Sequence, residues 1–371
     1  MFSKIKNFEF TSLVLPILLS AVGIALIYSL SFFSSDNGLA LKQLIFLALG
    51  LFFLILITTF DYRILASANW YLYLIAILLL ILVDLIGKTS GGATRWIDLK
   101  IFQLQPSEIY KFVSVIFLAT FFSKRIGRTR NVDIIYMFLM LLVPLYLVLR
   151  QPDLGTALVI IFTWFTVLFF LKLSAKQYLA TIVLVLGLAT VFFLSAYNIK
   201  PFNKLLKDYQ RSRITVFLNP ASDPFGRGYN VAQAQIAIGS GRIFGSGLGH
   251  GSQSQLQFLP KPETDFIFSA FSEAFGIVGV ALLLFIYSYF ISKIIDIAHL
   301  SKDNFGYLLA VGVGATFFIQ IIINVGMNIG VMPVTGIPLP FLSYGGSSLM
   351  SSFIMIGILQ NVFIHRKKLT F

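Results

Sequence analysis

Residues 259–292 read LPKPETDFIFSAFSEAFGIVGVALLLFIYSYFIS. A proline-rich polar segment ends at Asp265, and the apolar run that follows, 266–292, holds Glu273 as its one charged residue. About 20 apolar residues suffice to cross a bilayer as a helix, so this run reads as a membrane span. Asp265 then stands where water meets hydrocarbon, a costly place for an ionisable group and by default a functional one. The competing reading is a helix cap, with Thr264-Asp265 opening the span.

The rest of the chain repeats the pattern. Over 371 residues, 57% are hydrophobic and 12% charged, and the mean hydropathy is +0.88, which excludes a soluble globular domain. Ten apolar runs fall near 10–32, 41–60, 71–87, 106–123, 133–150, 154–171, 178–196, 266–292, 307–328 and 345–364. The fold expected is an all-α polytopic membrane protein, a single integral-membrane domain over 1–371 with one large loop, 197–265, between the seventh and eighth spans. The first run is too long for a secretory h-region and reads as retained. With no cysteine in the chain, disulfides, thiolate ligands and a cysteine nucleophile are excluded.

Cations in short loops mark the cytoplasmic side. Lys4, Lys6, Arg63, Lys124, Arg125, Arg128, Arg130, Lys172, Lys176, Lys293, Lys302, Arg366, Lys367 and Lys368 fall on one side, against Lys42, Lys88, Arg95, Lys100 and Arg150 on the other. Both termini are therefore expected in the cytoplasm and the 197–265 loop outside. This accounts for much of the net charge of +13, with the run from Lys124 to Arg130 on anionic membrane lipid. Nucleic acid is not needed as a partner.

The large loop is itself cationic, through Lys200, Lys204, Lys207, Arg211, Arg213, Arg227, Arg242 and Lys261. An anionic ligand explains this economically, and lipid headgroups are the plain alternative. Arg211 and Arg213 are the better phosphate candidates because guanidinium binds phosphate bidentately, and YQRSRITVFLNP (209–220) reads as an interfacial helix. The glycine-rich run IAIGSGRIFGSGLGHGSQSQ (236–255) either folds as a tight loop against the membrane surface or brings backbone N–H groups to a phosphate.

Three further charges lie in or beside spans. Glu108 and Lys111, in QPSEIYKF (105–112), share a helix face. They either neutralise each other, with Asp84 as another partner, or line a cavity. Asp153, in RQPDLGTAL (150–158), reads as an N-cap. Trp96, in GGATRWI (91–97), reads as an interfacial anchor or a sugar-stacking surface. His250, His299 and His365 are scattered without metal-ligand spacing, and the prolines of VMPVTGIPLPFLSYGGSSL (331–349) break the approach to the last span.

These segments, together with NPASDPFGRGYNVAQAQIAIGSGRIFGSGLGHGSQSQLQFLP (219–260) and TDFIFSAFSE (264–273), resemble in order and placement the SEDS family of shape, elongation, division and sporulation proteins. GSQSQLQFLP, and NVGM with PVTGIPLPFLSYGG, resemble its RodA branch more than its FtsW branch. The resemblance implies a ten-helix peptidoglycan glycosyltransferase that polymerises lipid II outside the membrane with a class B penicillin-binding transpeptidase. The family's catalytic aspartate falls on Asp265, its fourth-helix glutamate and lysine on Glu108 and Lys111, and its Arg-Trp motif on Arg95 and Trp96. Two departures stand out. Lys261 and Glu263 replace a common Glu and His, and Glu273 is followed by Ala274 rather than a second Glu, so no role carries over to those positions and a divalent cation, Mg or Mn, stays open. The expected chemistry has Asp265 take the acceptor proton, Arg211, Arg213, Lys111 and Arg95 hold the diphosphate, and apolar grooves take the polyprenyl tails. A lipid flippase and a non-enzymatic scaffold of the elongation machinery are the alternatives.

Overall fold

The computed structural model describes residues 8–31, 38–90, 93–100, 102–197, 199–200, 208–220, 223–224 and 226–366. Of the cations used above, Lys4, Lys6, Lys204, Lys207, Lys367 and Lys368 lie outside the described residues.

The helices in order are α1 (Phe10–Ser31), α2 (Leu39–Thr59), the short α3 (Arg63–Ser67), α4 (Asn69–Ile86), α5 (Pro106–Ser123), α6 (Asn131–Arg150), α7 (Leu154–Phe169) and α8 (Ala175–Ala196). They continue with α9 (Asp208–Leu218), α10 (Arg227–Ser240), α11 (Ser252–Gln255), α12 (Ile267–Leu300), α13 (Asn304–Asn328) and α14 (Gly346–Ile364). Every apolar run named above coincides with a helix. Seven of these, α1, α2, α4, α6, α12, α13 and α14, are long and apolar enough to cross a membrane. α7 and α8 are shorter or less continuous in their apolar stretch, and α5 is made more polar by Glu108 and Lys111.

α13 and α14 form the centre and are buried along most of their length, whereas α1, α2 and α4 keep one face open. Small residues bring the central helices together. Gly357 of α14 lies against the backbone of Leu54 in α2, where a Cβ would come within 3.0 Å of a carbonyl oxygen. Between α13 and α14 the chain dips into the core without regular structure, burying Leu339, Phe341 and Leu342. The Phe341 ring packs against Phe290, Phe317 and Phe353 at centroid distances of 5.7, 5.3 and 5.5 Å. Irregular backbone at such depth needs internal partners. Gln43 Nε2 donates to Ser343 O (3.0 Å) and Tyr287 Oη to Pro340 O (2.6 Å), and Leu339 N donates to Ser343 Oγ (2.8 Å).

A small antiparallel sheet was not anticipated by the helical periodicity. Strands β1 (Lys88–Ser90), β2 (Ala93–Asp98) and β3 (Gln103–Leu104) pair in the order β1-β2-β3, with Lys88 opposite Trp96 and Ile97 opposite Leu104. Thr, Trp and Ile favour a pleated, half-buried surface, and a Lys88–Asp98 ion pair of 2.9 Å closes the sheet.

α12 is two helices joined at Gly276, whose φ of 63° and ψ of −168° are non-helical and open to glycine. The backbone groups freed by this break bond to the glycine-rich loop. Ile277 N and Val278 N donate to Arg242 O (2.9 Å) and Ile243 O (3.1 Å), while Ser246 N and Gly247 N donate to Glu273 O (2.9 Å) and Ala274 O (3.0 Å). A Cβ on Gly241 or Gly245 would collide with carbonyl oxygens of Ser272 or Ala274 at 2.0 and 2.2 Å. The glycine run is thus a tight loop packed backbone to backbone on α12.

Candidate functional site

The site lies where β2, the α6–α7 junction, α9, the start of α12 and the segment 335–343 meet. Arg95, on β2, reaches the α6–α7 junction: Nε donates to Gln151 O (3.1 Å), Nη2 donates to Pro152 O, and Nη1 lies 3.8 Å from Asp153 Oδ1. Asp153 is the N-cap of α7, accepting from Thr156 N (3.1 Å) and Thr156 Oγ1 (2.8 Å). Its second oxygen also accepts from Gln105 Nε2 (3.0 Å) and Ser107 Oγ (3.2 Å). Burial would push this carboxyl up, but Arg95 and the donors from Thr156 and Ser107 outweigh it and hold it below the ordinary carboxylate range. Asp153 is therefore an ionised junction between strand, α5 and α7, with its lone pairs committed.

One turn along α5 from Ser107, Glu108 and Lys111 form a buried ion pair, Nζ to Oε2 2.7 Å, and Ser351 Oγ of α14 donates to the same oxygen at 3.1 Å. The pair neutralises itself, as one of its two readings held. Asp84, the other partner considered, instead faces Arg150 at 3.2 Å.

Asp265 precedes α12 and is half-buried. The N-cap of α12 is Phe266, whose own side chain makes no capping hydrogen bond, and the first-turn Ser269 N–H donates to Asn328 Oδ1 of α13, so the capping reading of Asp265 fails: its side chain is not spent on the helix end. Burial raises its pKa above the ordinary value, and the nearby charges of Lys261, Arg213 and Arg95, with a hydrogen bond from Thr264, only partly oppose this. Arg213, from α9, donates through Nη1 to Thr335 O at 3.0 Å. The next residue, Gly336, packs directly against the Asp265 carboxylate. Arg211 lies half-buried on the same helix, and Trp96 is half-buried on β2 beside Arg95. The structure thus unites Asp265 with Arg95, Arg213 and Lys261 in one electrostatic environment, while Glu108 and Lys111 satisfy each other within the bundle.

Thr335 also edges an apolar groove of about 560 Å³ between α7, α8 and α13, lined by Phe162, Phe165, Ile182, Ile319 and Ile323 among others. The residue that accepts from Arg213 therefore also lines this groove.

A divalent cation held by the chain itself does not fit these residues. The charges that act most strongly on Asp265 are those of Lys261, Arg213 and Arg95, and among the described residues no three His, Cys, Asp or Glu side chains cluster to hold a metal. Glu273, the acidic residue conceivable as a second ligand, is fully engaged: its carboxylate accepts from Gln253 N (2.8 Å), Ser254 N (3.0 Å), Ser254 Oγ (2.7 Å) and Ser240 Oγ (3.4 Å).

Two residues at the site escaped the sequence reading. Asn324 and Asn328 of α13 each donate through Nδ2 to the carbonyl oxygen of Asp265, both at 3.1 Å, and Asn324 Nδ2 also reaches Ile337 O at 2.7 Å. Buried amides recurring every four residues, Gln320, Asn324 and Asn328, on one face of a membrane span were the available signal.

A family model described as cell cycle protein, for FtsW, RodA and SpoVE, matches residues 10–368. The chain is 36% identical over 360 residues to the peptidoglycan glycosyltransferase MrdB of Escherichia coli K12, covering 97% of this chain and 94% of that one. It is 30% identical to the peptidoglycan glycosyltransferase RodA of Treponema pallidum, covering 96% and 98%. Among solved structures, a chain from a study of the structural coordination of polymerization and crosslinking by a peptidoglycan synthase complex superposes with TM-score 0.79 at 30% identity, covering 96% of this chain and 97% of that one. The rod shape determining protein RodA of Thermus thermophilus superposes with TM-score 0.72 at 28% identity, covering 97% and 98%. With the family match spanning nearly its whole length, the chain belongs to the SEDS family of FtsW, RodA and SpoVE and is RodA-like within it.

Proposed function

We propose that the chain is a peptidoglycan glycosyltransferase that polymerises lipid II, with Asp265 as general base. The observation that carries this is a half-buried, uncapped carboxylate of raised pKa among three cations, in a chain whose relatives bear that name over nearly its full length. In the reaction Asp265 takes the proton of the acceptor hydroxyl as its oxygen bonds to the anomeric carbon of the donor. The bond from that carbon to the diphosphate breaks, and undecaprenyl diphosphate leaves with inversion. A base whose pKa is raised toward the working pH is the better proton acceptor, and positioned base catalysis contributes on the order of 10²–10⁴-fold. Arg213, Arg95 and Lys261 supply charge for the departing diphosphate. Arg211 adds to this from α9, and the apolar groove that Thr335 helps to line takes a polyprenyl tail. Lys111 is committed to Glu108, so its part in holding phosphate is indirect, through the shape of α5.

The ten apolar helices are read as spans with both termini in the cytoplasm and Asp265 outside, on the strength of the loop-charge asymmetry. A class B penicillin-binding transpeptidase is the partner, in keeping with the structural likeness to a chain of a peptidoglycan synthase complex. Purified protein with and without that partner, given lipid II, tests the reading. Wild type forms polymer and Asp265→Asn, which keeps the size and loses the base, does not. Wild-type polymerisation by Asp265→Asn overturns the assignment, and lipid II translocation without polymer favours a transporter.

A further inference from the structure

α12 starts with a first-turn donor partnered from another helix. With Phe266 as N-cap, the Ser269 N–H lies in the first turn and has no partner within the helix. Here the first helical bond is Ala270 N to Phe266 O, 3.1 Å, and the Asn328 side chain stands between Ser269 and Asp265. Its Oδ1 accepts from Ser269 N (3.2 Å) and Ser269 Oγ (2.6 Å), and its Nδ2 donates to Asp265 O (3.1 Å). The amide of Asn324 adds a second donor to the same carbonyl and binds Ile337 O, the residue after Gly336. Asn328 Nδ2 also donates to Asn324 O at 2.8 Å, which locks the two amides together. Both asparagines are fully buried.

We propose that Asn328, seconded by Asn324, is a positioning residue for Asp265. Helix ends fray because their first backbone groups lack partners, and a base carried on a frayed end would wander. By accepting from the orphan Ser269 N–H and donating to the Asp265 carbonyl, the Asn328 amide ties the helix end that carries Asp265 to the rigid centre of the bundle. Asn324 ties the same point to the segment that borders the carboxylate. A misplacement of about 1 Å costs on the order of 10²-fold in rate, so the value of this clamp appears in turnover and not in substrate binding. The proposal rests on the glycosyltransferase reading.

Asn361 provides a control. At the opposite end of α14 its Nδ2 donates to Ile57 O (2.8 Å) and Phe60 O (2.7 Å), and its Oδ1 accepts from Tyr62 N (3.2 Å), a clamp of the same construction far from Asp265. The full chain with its partner is assayed on lipid II as wild type, Asn328→Ala, Asn324→Ala, the double variant and Asn361→Ala. The expected result is a fall in kcat of about 10–100-fold for Asn328→Ala with KM within about threefold. The double variant loses less than the product of the singles, because both act on one carbonyl. Asn361→Ala lowers the melting temperature comparably but leaves kcat near wild type. Wild-type kcat in Asn328→Ala, or an equal kcat loss in Asn361→Ala, overturns the proposal. Should Asn328→Ala not fold, Ser269→Ala removes only one donor to Asn328 Oδ1. It is expected to lower kcat several-fold at constant KM, and an unchanged kcat there overturns the clamp. An active Asp265→Asn would instead sink the glycosyltransferase reading itself, so the two failures are distinct.

Discussion

A Cβ on Gly336 would lie 3.3 Å from Oδ2 of Asp265, and Gly336 holds a φ of +76°. The glycine therefore meets two demands at once: a backbone conformation that L-residues rarely adopt, and space for a carboxylate. Gly336→Ala is expected to cost about 1–3 kcal/mol in stability from backbone strain and to displace Asp265, so polymer formation falls more steeply than the melting temperature predicts. An alanine variant that polymerises like wild type would show the contact to be slack.

The raised pKa of Asp265 fixes the direction of its pH dependence. As the proposed general base, Asp265 works when deprotonated, so the rate is expected to rise with pH through its pKa. The acid limb of the rate profile lies above the ordinary aspartate value of about 3.9. Lys261 is among the charges that pull this pKa down, so Lys261→Gln moves the limb to higher pH. Rates measured across the acid range decide the point, and a limb that stays put or moves down contradicts it.

Lys111→Met leaves the buried carboxylate of Glu108 without its cation, and removing one member of a buried pair costs about 3–5 kcal/mol. Glu108→Gln combined with Lys111→Met removes both charges. The double variant should recover most of the thermal stability in detergent. If its polymerisation recovers too, the pair is purely architectural; if stability returns without activity, α5 shapes the diphosphate site.

Asp153 separates capping from charge. Asp153→Ala loses an N-cap worth about 0.5–2 kcal/mol and strands Arg95. Asp153→Asn keeps a capping oxygen and loses only the charge. Because the folded pKa of Asp153 lies below the ordinary range, its stabilisation is present above the unfolded pKa and lost as pH falls through the folded one. Acid titration of melting temperature should show that loss in wild type and not in Asp153→Asn.

Glu273→Ala removes the acceptor for the backbone N–H groups of Gln253 and Ser254, each unsatisfied donor costing about 1–3 kcal/mol. Hydrogen exchange in 246–256 is expected to rise well ahead of exchange in α13. Unchanged protection would show that the loop is held by the Gly276 break alone.

The helices were legible because a membrane span announces itself by length and hydropathy, and each apolar run became a helix. The Glu108–Lys111 pair and the Asp153 cap were legible because both are local, set by spacing along one helix. What escaped depended on partners distant in sequence. Glycines at 241, 245 and 276 allow close approach to anything, and the chain does not say whether that is a phosphate or, as here, the backbone of α12. The sheet at 88–104 was hidden by its short strands. The asparagines of α13 look like ordinary interhelical bonds until Asp265 O is found to be their target.

The break at Gly276 has a mechanical consequence. The half of α12 that follows Asp265 is joined to the glycine-rich loop by two backbone bonds, at Glu273 O and Ala274 O, and by the Glu273 carboxylate, and the far half by two more, from Ile277 N and Val278 N. The loop thus bridges the break, and a load on it is shared between the two halves of the helix. The Asn324–Asn328 amides hold the Asp265 carbonyl from the opposite side, on α13.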